Sequence, residues 1–225
     1  MKASLIERED ALVLEPQGPA TASVVWLHGL GADGYDFLPF AQALGLAERG
    51  VRVVLPHAPR RPVTINGGYV MRAWYDVHDP DLARDPDEGG IRGSVDLVTH
   101  FLAREITAGV PSTRLVVAGF SQGGVLALEA GLRFAERLAG IIGLSAYLAL
   151  PAATESEASP ANRGLPVFLG HGDHDPVIPL ALGELSAARL AGLGYQVQLR
   201  RYPMAHAVCD AEAADVDHWL RRALG

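Results

Sequence analysis

Short apolar runs alternate with longer amphipathic segments along most of the chain, and this pattern predicts strands that alternate with helices. Residues 24–27 and 115–118 are apolar at every position, as is typical of strands buried on both faces of a sheet. Residues 91–106 instead carry apolar side chains at helical spacing, and Gly109 marks the end of this helix. We therefore expect an α/β domain with a mainly parallel central sheet and helices on both faces.

Three segments depart from this alternation. Residues 3–14 contain two short apolar patches separated by acidic residues, and they predict a hairpin at an edge of the sheet. Residues 56–88 contain several prolines and no sustained period, so we expect a long ordered loop that forms a wall of a binding site. Residues 152–164 are mostly small and polar, and we expect a surface loop there.

Composition narrows the class of protein. A length of 225 residues with 49% hydrophobic content suits one domain spanning residues 1–225. The net charge of −7 argues against a nucleic-acid partner, because proteins that bind phosphate backbones usually carry a basic surplus. The N-terminus lacks the apolar core of a signal peptide, and no apolar run is long enough to span a bilayer.

The single cysteine, Cys209, excludes an intrachain disulfide and a cysteine-based metal cluster. Such sparse cysteine is typical of a reducing compartment, and we expect a cytoplasmic protein. The oligomeric state stays open, with a homodimer as one alternative.

The stretch Gly119-Phe120-Ser121-Gln122-Gly123 lies between a predicted buried strand and a predicted buried helix. This context is typical of a nucleophile elbow, in which a sharp turn holds a serine hydroxyl above the end of a sheet. The two glycines are needed because a side chain at either position would collide with neighbouring backbone. The motif alone is weak evidence, and the strand and helix around it make it specific.

A serine nucleophile needs an imidazole to accept its proton and a carboxylate to orient that imidazole. Later loops supply Asp173 or Asp175 and then His206, which gives the order Ser, Asp, His of the α/β hydrolases. Each of these loops follows a predicted strand. Functional groups of parallel sheets gather at the carboxyl ends of the strands, so we expect Ser121 to meet them there.

An oxyanion hole is the remaining requirement for acyl transfer. We expect its first donor to be the backbone N–H of Gln122, the residue after the nucleophile. The second is the N–H of Leu30, in the glycine-rich turn after an early strand. Each such donor typically contributes about 10²–10³ in rate.

Several blocks of the sequence resemble the phospholipase/carboxylesterase family, which includes acyl-protein thioesterases and bacterial carboxylesterases. They are His28-Gly29-Leu30-Gly31, His57-Ala58-Pro59, Trp74-Tyr75-Asp76, the elbow through Gly124, His171-Gly172-Asp173 with Asp175-Pro176, and Met204-Ala205-His206. The resemblance covers about residues 22–222. It implies the α/β-hydrolase fold and a serine hydrolase without a cofactor.

The resemblance also implies the roles of individual residues. It identifies Ser121 as the nucleophile and His206 as the base, and it selects Asp175 rather than Asp173 as the acid. The oxyanion donors are again Leu30 and Gln122. Residues implied to bind substrate are Gly31, Met71 and Trp74, although Trp74 could equally be a core residue.

Two other chemical interpretations carry less weight. The cluster from His171 to Asp175 could be a metal site, but the triad already uses Asp175 and no further ligands have zinc-like spacing, so we expect no metal. Cys209 could be a nucleophile, but it has no elbow and is more typical of a packing residue.

We expect a serine carboxylesterase that hydrolyses short- to medium-chain carboxylic esters through an acyl-enzyme. One alternative is an acyl-protein thioesterase or lysophospholipase that acts on long acyl chains. Another alternative, of a different class, is a non-catalytic homologue that only binds a ligand. The expected partner is a small-molecule ester or thioester.

Overall fold

The computed structural model describes residues 3–82 and 84–225 of the chain. In these residues the strands are β1 (Ser4–Glu7), β2 (Ala11–Glu15), β3 (Ala22–Leu27), β4 (Val51–Pro56), β5 (Arg60–Val63), β6 (Tyr69–Arg72), β7 (Leu115–Phe120), β8 (Gly140–Leu144), β9 (Pro166–Gly172) and β10 (Gln196–Tyr202). The α-helices are α1 (Leu38–Ala43), α2 (Glu88–Thr107), α3 (Gln122–Arg133), α4 (Pro151–Glu157), α5 (Leu180–Gly192) and α6 (Asp210–Leu224).

The main sheet has the strand order β1-β2-β4-β3-β7-β8-β9-β10. From β4 to β10 every neighbouring pair is parallel, which confirms the predicted mainly parallel sheet. β1 pairs with β2 in an antiparallel hairpin at one end of this order, so the edge hairpin predicted for residues 3–14 is confirmed.

Helices cover both faces of the sheet, as predicted, because the central strands are apolar on both sides. In β3, Val25 and Leu27 pack in the apolar cluster that includes residues of α2, α3 and α5. Val24 and Trp26 alternate with them and pack in a second cluster with residues of α1 and α6. A strand that places successive side chains in two separate cores is expected to be apolar on both faces, which explains the continuous hydrophobic run from Val24 to Leu27.

The prediction of a loop over residues 56–88 is wrong for its first half. β5 and β6 form an antiparallel hairpin, with Arg60 opposite Arg72 and Val63 opposite Tyr69. Its turn contains Gly67 and Gly68, which both have positive φ angles (65° and 79°) that favour glycine. Both strands have four residues, and β5 is mostly polar. The sequence therefore lacks the hydrophobic alternation that would have predicted this hairpin.

The prediction of a surface loop over residues 152–164 is also wrong, because α4 occupies its first half. Pro151 stands at the first helical position, where its missing N–H costs nothing. Glu157 fixes the other end, since its carboxylate accepts hydrogen bonds from Arg92 of α2 and Arg133 of α3, both at 2.8 Å. The polar residues of this segment thus serve ion pairs between helices.

Candidate active site

Ser121 occupies the turn between β7 and α3 and has a strained backbone, with φ 55° and ψ −124°. The flanking glycines permit this turn. A Cβ atom on Gly119 would lie 2.3 Å from the backbone of Gly123, and one on Gly123 would lie 2.3 Å from the carbonyl oxygen of Leu27. The backbone therefore has no room for another residue type at either position, as expected of a nucleophile elbow.

The structure brings Ser121, His206 and Asp175 together from three loops that follow β7, β9 and β10. The hydroxyl of Ser121 donates to Nε2 of His206 at 2.9 Å. The Nδ1–H of His206 donates to Oδ2 of Asp175 at 2.7 Å. This continuous hydrogen-bonded chain can carry the serine proton to the imidazole and stabilise the imidazolium that results.

Asp175 is held as an ionised acceptor. Its second oxygen accepts hydrogen bonds from the N–H groups of Val177 and Ile178, at 2.8 and 2.9 Å. Burial alone would raise the pKa of this carboxyl, but the hydrogen bonds from His206, Ile178 and Val177 outweigh it and lower the pKa. These hydrogen bonds therefore favour the charged carboxylate, to which the Nδ1–H of His206 donates.

Asp173, the competing acid of the sequence, lies elsewhere. Its carboxylate accepts a hydrogen bond from Nε of the exposed Arg201 at 2.8 Å, which fixes the surface side of the same loop. The geometry thus agrees with the choice of Asp175 made from the family resemblance.

The two predicted oxyanion donors have free N–H groups. Within the described residues, no hydrogen bond uses the backbone N–H of Leu30 or of Gln122. Gln122 opens α3, where the first N–H groups have no partner within the helix and carry the positive end of its dipole. Leu30 and Gln122 both line the cleft that contains Ser121, so both donors are available to a ligand there.

The side chain of Gln122 has a structural role that the sequence did not reveal. Its Oε1 accepts a hydrogen bond from the N–H of Trp74 at 2.9 Å, and its Nε2 donates to the carbonyl oxygen of Tyr75 at 2.7 Å. In addition, Nε1 of Trp74 donates to the carbonyl oxygen of His28 at 2.9 Å. These bonds tie the elbow and the turn after β3 to one buried segment.

His28 is a neutral structural residue, in line with the interpretation of it as a link between loops. Burial lowers its pKa to about 4. Its Nδ1–H donates to the carbonyl oxygen of Gly29 at 2.7 Å, and its Nε2 accepts from the N–H of Ala58 at 3.0 Å. His171 similarly donates from Nε2 to the carbonyl oxygen of Ile178 at 2.9 Å and so shapes the loop of Asp175.

Phe120 is a second residue that sequence reasoning missed. Its ring lies against the imidazole of His206, with 4.7 Å between centroids, and it also lines the cleft. It occupies a variable position of the elbow motif, so the motif gave no signal for it.

A cleft of about 530 Å³ opens beside Ser121 and His206. Its apolar lining comes from the turn after β3, the segment before α2, the end of β7 and the segments after β8 and β9. The residues are Leu30, Ile65, Tyr75, Val77, Leu82, Phe120, Tyr147, Val177 and Ile178. The hydroxyl of Tyr147 donates to the carbonyl oxygen of Leu82 at 3.2 Å, which holds that loop against the cleft. The size and lining suit an acyl chain.

The three residues predicted to bind substrate are not among the side chains that line this cleft. Trp74 is completely buried and belongs to the core, so the alternative given for it agrees with the structure. The N–H of Gly31 donates to the carbonyl oxygen of Arg72 at 2.8 Å. Nδ2 of Asn66 donates to Sδ of Met71 at 3.5 Å. Gly31 lies in the turn after β3, and Met71 lies in β6 close to that turn, since a Cβ atom on Gly31 would be 3.6 Å from Sδ of Met71.

Over residues 3–82 and 84–225, no group of three or more potential ligands is placed to hold a metal ion. Cys209 immediately precedes α6 and is half-buried, and the triad serine has the imidazole as its partner instead.

Glu212 in the first turn of α6 is a buried carboxyl without a hydrogen-bond partner among the described residues. It lies against the backbone of β9, where a Cβ on Gly170 would overlap its carboxyl oxygen. Burial, with a smaller effect of the charge on Asp215, raises the pKa of Glu212 to about 8. The neutral carboxyl is therefore the stable form at neutral pH.

Comparisons with known proteins agree on the class of molecule. Residues 8–224 match the phospholipase/carboxylesterase family. Acyl-protein thioesterase 1 of Gibberella zeae is 37% identical over 223 residues, which cover 95% of each chain. The crystal structure of Zea mays acyl-protein thioesterase 2 is 30% identical with a TM-score of 0.84, and covers 95% of this chain and 98% of its own. Arabidopsis thaliana SOBER1 is 27% identical with a TM-score of 0.86, and covers 91% and 99%. The fold is the α/β-hydrolase fold, and the chain belongs to the phospholipase/carboxylesterase family.

Proposed function

We propose that the protein is a serine hydrolase that cleaves acyl thioesters and esters through an acyl-enzyme. The observation that carries this proposal is the hydrogen-bonded chain from Ser121 through His206 to Asp175, beside two free N–H groups.

Each residue has a defined task in the reaction. The oxygen of Ser121 bonds to the acyl carbon while its proton passes to Nε2 of His206. The N–H groups of Leu30 and Gln122 stabilise the oxyanion, and the bond to sulfur or oxygen then breaks as His206 returns the proton to the leaving group. A water molecule then attacks the carbonyl carbon of the acyl-enzyme while His206 accepts one of its protons. The bond to Ser121 breaks as His206 gives this proton to the serine oxygen, which releases the acid and restores the starting enzyme.

Among substrates, we favour acyl-protein thioesters over the short-chain carboxylic esters expected first from the sequence. The relatives named above include two acyl-protein thioesterases that match nearly the whole chain. The apolar cleft of about 530 Å³ can also take more than a short acyl group. Simple esters stay within reach of the same chemistry, because the acyl-enzyme is identical.

Active-site labelling and chain-length profiling test this function. We expect a fluorophosphonate probe to label the protein and Ser121→Ala to lose both labelling and hydrolysis while it keeps its unfolding transition. Full activity in Ser121→Ala would refute the mechanism. A burst of p-nitrophenol from a p-nitrophenyl ester, equal to the enzyme concentration, would exclude the non-catalytic alternative.

Two S-acyl peptides that differ only in acyl chain decide the substrate class. We expect faster hydrolysis of the palmitoyl than of the butyryl thioester, as measured by kcat/KM. The reverse order would favour the carboxylesterase.

Helices long and apolar enough for a bilayer are absent from the described residues, and a cytoplasmic location stays a prediction from the sequence.

A further inference from the structure

Five aspartates line the catalytic cleft alongside its apolar residues: Asp36, Asp76, Asp79, Asp85 and Asp87. No lysine or arginine is among the lining residues that the structure describes. The chain as a whole carries 19 cationic and 26 anionic side chains, so this imbalance in one cleft is much stronger than that of the molecule.

Two of these carboxylates are fixed by the fold. Asp76 accepts hydrogen bonds from the N–H groups of Thr64 and Val77, at 2.7 and 2.8 Å. Asp87 caps α2 through Gly90 at 2.9 Å and accepts from the N–H of Asp76 at 2.8 Å. Their hydrogen bonds come from neutral groups, apart from the His78 contact described next, so they do not remove the negative charge.

The other three carboxylates have weak cationic compensation. Arg84 approaches Asp79 at 3.6 Å, but 74% of its side chain is exposed, so this pair is largely screened. His78 lies between Asp76 and Asp85, 3.4 and 3.3 Å from their oxygens. No ion pair to Asp36 is formed by the described residues. Arg61 lies near Asp87 without lining the cleft, since a Cβ atom on Gly90 would approach both side chains. Among the described residues, the lining of the cleft therefore carries more anionic than cationic side chains.

We propose that this acidic cleft selects substrates by charge, and that it favours acyl groups carried on a basic peptide over the same acyl groups on an anionic leaving group. This inference rests on the proposed function. The apolar side chains of the lining suit the acyl chain, and its carboxylates suit a cationic leaving group. Arginine or lysine side chains next to the acylated cysteine match it in charge.

The expected size of the effect follows from electrostatics. Charges that line a cleft with low-dielectric walls act together on a substrate and raise the local concentration of the opposite charge. The interaction is screened beyond about 10 Å at 0.1 M salt, so the selection must weaken as salt is added. It affects binding and capture more than the chemical step, and it should therefore appear in kcat/KM.

The test uses S-palmitoyl peptides of equal length in which the residues flanking the cysteine are lysine, serine or glutamate. At about 20 mM salt we expect kcat/KM for the lysine peptide to exceed that for the glutamate peptide by about tenfold or more. At about 300 mM salt we expect this ratio to fall by at least half. The serine peptide should lie between the two.

Two triple variants with the same change in net charge separate the cleft from the rest of the surface. The first, Asp36→Asn with Asp79→Asn and Asp85→Asn, should lower the lysine-to-glutamate ratio about threefold. The control, Asp96→Asn with Glu136→Gln and Glu155→Gln, changes exposed residues outside the cleft and should leave the ratio unchanged.

The outcomes distinguish this inference from the function on which it rests. A ratio near one with measurable hydrolysis of all peptides would overturn charge selection alone. An equal drop in both triple variants would also overturn it, because net charge rather than the cleft would be responsible. If the protein cleaves none of the peptides, the proposed thioesterase function fails.

Discussion

The ring of Phe120 packs on the imidazole of His206 with 4.7 Å between their centroids, and so the residue before Ser121 supports the position of this imidazole. Phe120→Ala removes this support while leaving both hydrogen bonds of His206 in place. We expect kcat for a short p-nitrophenyl ester to fall about tenfold, since small misplacements of a base are costly. Phe120→Leu keeps an apolar contact and should lose less. Equal kcat in wild type and Phe120→Ala would show that the hydrogen bonds alone position His206.

Asp175→Asn should reduce kcat by about 10⁴, because an amide can donate to Nδ1 and so favour the wrong tautomer of His206. The matched control is Asp173→Asn, two residues away, whose partner is the exposed Arg201. We expect the control to stay within about threefold of wild type, as is usual for exposed pairs. Similar losses in both variants, measured as kcat with the same ester, would contradict the assignment of the acid.

Gly123→Ala should destabilise the fold by about 3 kcal/mol or more, because the new methyl group would overlap the backbone carbonyl of Leu27. Gly192→Ala provides the control, since its added Cβ at the end of α5 meets no atom within 4 Å. The control should be neutral or more stable by about 0.5–1 kcal/mol. Urea unfolding measures both free energies, and a wild-type value for Gly123→Ala would show that the elbow can relax.

Glu212 should make the free energy of unfolding depend on pH. Its pKa is raised from 4.5 to about 8 in the folded state, so its favourable contribution is complete below about pH 4.5 and is lost as the pH rises toward 8. Between these two pH values the free energy of unfolding should fall by about 4–5 kcal/mol, since each pKa unit corresponds to about 1.4 kcal/mol. Glu212→Gln cannot ionise and should lack this decline.

Urea unfolding at pH 5 and pH 8.5 measures the difference between wild type and Glu212→Gln at each pH. We expect the variant to gain relative to wild type at the higher pH. The exposed Glu155→Gln should run parallel to wild type. Parallel curves for Glu212→Gln would mean that the carboxyl titrates normally.

The sheet and the convergence of the triad could be predicted from sequence because both depend on strong local signals. Strand β3 is apolar from Val24 to Leu27. Ser121, Asp175 and His206 each follow a strand of one sheet, so their loops meet at one edge. The contacts that refine the site gave no such signal. The amide of Gln122 reaches Trp74 across 48 residues, and sequence spacing does not encode such a contact.

The short elements failed for a related reason. Strand β5 consists of Arg60-Arg61-Pro62-Val63, and its pairing with β6 depends on backbone hydrogen bonds and a glycine turn rather than on hydrophobic alternation. The family resemblance implied a pocket role for Trp74, which follows Met71 by three residues in the predicted loop. Its complete burial depends on contacts with distant parts of the core, which the local sequence does not contain.

The side chains of Gln122 and Trp74 form hydrogen bonds with backbone atoms of Trp74, Tyr75 and His28. We expect substitutions of these two residues to be tolerated less well than substitutions elsewhere around the cleft. The turn after β3 and the turn at Ser121 are held by bonds to the buried Trp74 and to Gln122. The aspartates Asp79 and Asp85, in contrast, lie in the loop before α2 that lines the cleft. New leaving-group preferences can therefore evolve by exchange of rim residues such as Asp79 or Asp85 while the reaction itself is retained. Gln122, by contrast, is constrained twice. Its backbone N–H is the proposed oxyanion donor, and its side chain holds the backbone of Trp74 and Tyr75.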